Sequence, residues 1–121
     1  MTRCALTALA LTIASPLAAQ TDLPLLTMLD GVAPGFEATL SLAEPGVVRG
    51  HAPCNSYSAP LIGTLPTFRV EAITATEMAC EALAFEQPFF ELLLLMDHAE
   101  QVDNVLTLTG AGHVMEFSSR P

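Results

Sequence analysis

The sequence predicts an α+β fold that is mainly β. It is a small antiparallel meander of about seven or eight short strands, curled into a barrel or half-barrel, with one packed α-helix. Three observations lead there. Short alternations of apolar and polar residues recur along the chain, separated by Gly, Pro, Asp and Asn punctuation. Only one segment, near Phe85 to Met96, repeats its apolar residues with helical spacing. The chain has 121 residues, which is room for one domain and not for two.

The elements follow in order. Leu25 to Leu29 reads as a first strand, ended by Asp30-Gly31 and Pro34-Gly35 turn signals. Phe36, Ala38, Leu40 and Leu42 alternate with Glu37, Thr39 and Ser41, the pattern of a half-buried strand. Glu44-Pro45-Gly46 turns the chain into Val47-Val48-Arg49, the return arm of a hairpin. Tyr57 to Ile62 follows as a strand whose Pro60 requires an edge or a bulge. Thr67 to Glu71 alternates again, with Phe68 and Val70 opposite Arg69 and Glu71. Thr74 to Ala84 reads as a loop with short helical turns. Phe85, Phe89, Leu92, Leu93 and Met96 then form one apolar helical face, and Pro88 places the helix start near Phe85 or Glu86. Leu94 points away from that face, beside Gln87 and Glu91. Ala99 to Val102 and Val105 to Thr109 flank an Asp103-Asn104 hairpin turn, and His113 to Phe117 ends the meander.

The first twenty residues have the form of a secretory signal. Arg3 supplies the positive end, Cys4 to Ile13 is almost wholly apolar, and small residues from Ser15 to Ala19 prepare a cut after Ala19 or Gln20. The apolar run is shorter than the ~20 residues that span a bilayer, so no integral membrane span is expected. An exported, soluble and monomeric domain over residues 21–121, periplasmic or secreted, is the resulting expectation. Formal net charge is −9 and no lysine occurs. Such a surface repels phosphate backbones, which excludes nucleic acid as a partner. Of three cysteines, Cys4 leaves with the leader. Cys54 and Cys80 then form the simplest disulfide for an oxidising compartment, stabilising the domain by roughly 3–4 kcal/mol.

Cys54 has His51 three residues before it and Asn55 beside it, residue types that a cysteine nucleophile uses. A reactive thiolate needs an electropositive setting, and this chain is acidic and carries a second cysteine. The pair therefore reads as a staple, with no catalytic residues. His51, His98 and His113 lack metal-ligand spacing, so neither metal nor cofactor is expected. Leu40, Leu42, Phe68, Val70, Leu106, Leu108 and Phe117 would line the barrel, and a small apolar ligand held there is one functional alternative. A barrel of this size is filled by its own side chains, which makes a packed core the default. Phe90, Leu94 and Leu95 lie beyond the centre of the helix's apolar stripe and mark a candidate interaction patch for an unidentified envelope protein.

Gly50, Cys54, Asn55 and Tyr57, followed by Thr76, Met78, Ala79 and Cys80, resemble the paired motifs of the META domain, or heat-shock protein HslJ, family. Glu86 and Phe89 or Phe90 match its helix, Leu106 and Leu108 a later strand, and Phe117 the last strand. The resemblance spans roughly residues 25 to 118. The chain departs from the family in having no Trp, in Pro53 before the cysteine, and in lacking a Gly after Tyr57. What the resemblance implies is a small β-barrel-like fold with a helix, in a bacterial envelope or secreted protein without established catalytic activity. It further implies a non-enzymatic role in envelope integrity or stress tolerance, with the motif residues structural.

Overall fold

The computed structural model describes residues 23–119. The expected leader and cleavage site lie outside them. Eight strands and one α-helix form among the described residues. Seven of the strands and the helix follow the predicted order, and the short strand Thr74–Ala75 forms inside the segment from Thr74 to Ala84 expected to be a loop. The elements are β1 (Leu25–Leu29), β2 (Val47–His51), β3 (Ser56–Ile62), β4 (Arg69–Val70), β5 (Thr74–Ala75), α1 (Glu86–Leu93), β6 (His98–Val102), β7 (Val105–Gly110) and β8 (His113–Ser118). A short 3-10 helix, Glu81–Phe85, leads into α1.

The strands make two four-stranded antiparallel sheets. One has the order β1-β8-β7-β6; the other runs β2-β3-β4, with β5 also on β3. The sheets do not merge into one closed ladder, so the fold is a half-barrel. Two seams join them through isolated bridges, Leu25 with Thr39 and Ser41 with Arg49 at one side, and Thr67 with His98 at the other.

Phe36 to Leu42 differs from its predicted strand. Ala38 and Leu40 are buried as the alternation requires, yet the segment pairs only at isolated bridges. It is split between two neighbours: Leu26 N–H donates to Ala38 O, whereas Thr39 N–H donates to His51 O. Serving both sheets, it completes a ladder with neither. Gly50 explains the closeness of this seam. A Cβ there would overlap the Thr39 carbonyl, so only glycine lets β2 approach the segment.

Pro60 lies in a central strand, paired regularly with β2 and set at a break in the pairing on its other side. Leu61 N–H donates to Gly46 O, which turns the neighbouring Pro60 nitrogen toward the opposite edge. On that edge β5 pairs with Tyr57 and Ser58 and β4 with Leu61 and Ile62, leaving a gap where Ala72 takes φ +54°. The predicted Thr67–Glu71 strand is correspondingly reduced to Arg69–Val70.

α1 covers the open face of the half-barrel. Phe89, Leu93 and Met96 are fully buried against Leu40, Leu108, Met115 and Phe117. Phe85 departs from the predicted face. It closes the 3-10 helix, is 44% exposed, and stacks on Phe36 with ring centroids 5.3 Å apart. Pro88 occupies the first turn of α1, where its missing N–H costs no helical bond. The helix end is seated on Gly110, where a Cβ would overlap the Leu95 carbonyl. Of the residues expected to line the barrel, Leu40, Phe68, Val70, Leu106, Leu108 and Phe117 are buried; Leu42 is only partly so. Together with the helix residues they form one apolar cluster.

Candidate functional site

The two motifs converge on one buried amide. Asn55 follows the Pro53-Cys54 corner between β2 and β3 and is 2% exposed. Its Oδ1 accepts from Thr76 Oγ1 at 2.9 Å and from Met78 N at 2.6 Å. Its Nδ2 donates to Met78 O at 3.1 Å and to Glu86 Oε2 at 2.7 Å. All four hydrogen-bonding positions of the side chain are used, as burial requires.

Glu86 opens α1, where a carboxylate suits the positive end of the helix dipole. It is 7% exposed and its Oε1 accepts from the backbone N–H groups of Cys54, at 2.9 Å, and Asn55, at 2.8 Å. The knot therefore ties three segments: the β2–β3 corner, the strap from Thr76 to Cys80, and the helix start. Charge-assisted bonds to a buried carboxylate are the stronger kind. Glu86 stood out in the sequence only as a first-turn acid and as a match to the family helix. Its reach across 31 residues to Asn55 has no local signature.

The remaining motif positions serve the same geometry. Cys54 and Cys80 stand at disulfide distance, with Cα atoms 5.9 Å apart. Cys54 is buried and Cys80 exposed. Met78 contributes its backbone to Asn55 while its side chain is 62% exposed, and Ala79 is exposed beside it. Tyr57 donates its hydroxyl to Thr39 O at 2.8 Å and packs edge-on to Phe89 and Phe90. Burial pushes the Tyr57 phenol well above its usual range.

His51 does not complete a thiol centre. Its Nδ1 is 2.8 Å from the Ala52 carbonyl, to which it donates, and the Cys54 Sγ faces Met78 O instead. His113 sits with Asp30 at 2.8 Å, and His98 lies half-buried in β6. Among the described residues no three His, Cys, Asp or Glu side chains gather as a metal site, and no helix is long and apolar enough to cross a membrane. The candidate helix patch divides. Phe90 is half-buried against Tyr57 and Phe89, whereas Leu94 and Leu95 are 43% and 45% exposed.

The META domain model matches residues 24–121, and so takes in the whole knot. The chain belongs to the META domain family. Two solved structures share the fold of this META domain. An NMR structure of a protein from Burkholderia xenovorans is 21% identical, with 94% of each chain covered and a TM-score of 0.60. A second NMR structure is 17% identical over 88% of this chain and 95% of its own, with a TM-score of 0.58. No curated protein matches the chain.

Proposed function

We propose that this META domain is an exported, non-enzymatic protein that supports envelope integrity or stress tolerance through a protein partner. The observation that carries the reading is the closed accounting at the knot. Asn55 and Glu86 are the buried polar residues of the described chain, and both are committed to holding segments together. A catalytic group needs a free position toward substrate, and Asn55 retains none. On this reading Cys54 and Cys80 are disulfide-bonded, as suits an oxidising compartment outside the cytoplasm.

The partner side of the proposal rests on Leu94 and Leu95, apolar and exposed at the end of α1. The clustering of Phe89, Leu93 and Met96 with Leu40, Leu108, Met115 and Phe117 disfavours the alternative of a ligand carried inside the barrel. Crosslinking in the native envelope followed by co-purification tests the reading. A discrete crosslinked protein is expected with the wild type, and its loss with Leu94→Glu. Unchanged crosslinking by the folded variant would remove Leu94 from the function, and a co-purified small molecule without protein would overturn the partner reading.

A further inference from the structure

A second surface, at the other seam of the half-barrel, carries an inference independent of the helix patch. The outer edge of β6 is covered only along its first half. Phe68 N–H donates to Asp97 O at 3.1 Å, Thr67 bridges His98, and Ala99 N–H donates to Pro66 O at 2.8 Å. Val102 pairs with Val105 around the Asp103-Asn104 turn, and the register continues through Gln101 with Leu106 and Ala99 with Leu108. In an antiparallel ladder alternate residues turn their N–H and C=O outward. Ala99 is one of these, as its bond to Pro66 records, and Gln101 is the next. Among the described residues Gln101 has no backbone partner on that side. The edge is open from there to the turn.

Beside the open edge lies a groove of about 330 Å³, lined by Leu42, Leu65, Pro66, Ala99, Gln101 and Leu106. Five of these six side chains are apolar, and Gln101 ties its own amide back to Asp103 O at 2.9 Å. The volume lies at the small end of ligand pockets, enough for one or two side chains. A strand edge flanked by an apolar hole is what β-strand addition uses, the backbone supplying affinity and the hole selecting alternate side chains.

Charge selects the occupant. Glu100 and Asp103 flank the edge and form no ion pair among the described residues, while Arg49 and Arg69 are taken by Glu44 and Glu71. The chain as a whole carries −9, so a second copy would bring like charge to the same edge. We propose that β6 and its groove take an extended peptide segment of alternating basic and apolar residues as an added strand, one apolar side chain entering the groove.

The test uses the full chain and a fluorescein-labelled, amidated Lys-Val-Lys-Leu-Lys-Val-Lys peptide as probe, followed by fluorescence anisotropy. Saturable binding that weakens with added salt is expected. Gln101→Pro removes the outward N–H without touching the β7 ladder, and Leu65→Gln alters an exposed groove wall. Each should weaken binding about tenfold while the Tm and near-ultraviolet spectrum stay near wild type, a loss equal to ~1.4 kcal/mol. Should Gln101→Pro unfold, Leu65→Gln carries the comparison alone. Four results would overturn the proposal: no saturable binding of the probe, equal binding by Leu65→Gln, equal binding of the peptide with Asp in place of Lys, or concentration-dependent dimers that exclude the probe.

Discussion

Asn55 and Glu86 are joined amide to carboxylate at 2.7 Å, and through this bond and those to Thr76 and Met78 the Asn55 side chain ties the corner to both the helix start and the strap. Removing either leaves buried groups without partners. Asn55→Ala strands the Met78 backbone and one Glu86 oxygen, and should cost about 2–4 kcal/mol. Asn55→Asp should be worse than Asn55→Ala at neutral pH, because it sets a second carboxylate against Glu86. Urea unfolding of the two variants measures this order. A reversed order would mean that the bonds an Asp oxygen keeps from Thr76 and Met78 outweigh its repulsion by Glu86.

Gly50 makes a different demand, one of space. Gly50→Ala would drive a methyl group into the Thr39 carbonyl and separate β2 from the segment that joins the two sheets. Destabilisation of about 1–3 kcal/mol is expected, the usual range for overpacking. Backbone amide exchange should quicken at Thr39 and Ser41, whose N–H groups donate to His51 and Arg49 across that seam. Uniform quickening over both sheets, with no excess at the seam, would place the effect elsewhere.

The strands and helix were legible where each face of the chain meets one environment. β7 and β8 alternate cleanly, β1 and β6 also lie close to where they were expected, and Asp103-Asn104 is the turn the pattern promised. Phe36 to Leu42 alternates as cleanly and still makes no regular strand, because its N–H groups are divided between two sheets. Alternation reports which side chains are buried, not which backbone groups find a continuous neighbour. The motif residues were legible as a group, and Asn55 among them bonds both the strap and the helix start. Glu86 was not legible as their partner, since a contact across 31 residues leaves no spacing to read. Phe85 failed for a simpler reason. The chain enters α1 through a 3-10 helix, whose tighter winding rotates that residue off the helix's apolar face.

Asp30 and His113 provide the pH-dependent contact. The His113 ring and the Val114 N–H both hold the Asp30 carboxyl below its ordinary range. A carboxylate whose folded pKa is lowered contributes stability above its unfolded value, and that contribution is lost as pH falls through the lower folded value. The loss therefore begins near pH 4 and completes below it. Titration of the Asp30 carboxyl by carbon NMR should give a midpoint under 3.8. In His113→Ala the midpoint should rise toward 3.8 without reaching it, since the Val114 N–H remains. A midpoint at or above 3.8 in the wild type would show that the pair does not form in solution.

Cys54 and Cys80 stand beside the knot, and that placement separates two jobs that one staple is usually assigned. A covalent link between them would stabilise the fold by restraining the unfolded chain, for a loop with 26 residues of sequence separation, by roughly 3–4 kcal/mol. The strap is positioned independently of it, since Thr76 and Met78 are held by Asn55. Cys80→Ser should accordingly lower stability by about that amount while leaving the folded structure intact. Reduced wild type should unfold at nearly the same urea concentration as the variant, and reductant should not shift the variant itself. The amide signals of Thr76 and Met78 should stay where they are in all three samples. Movement of those signals on reduction would make the disulfide, rather than Asn55, the anchor of the strap.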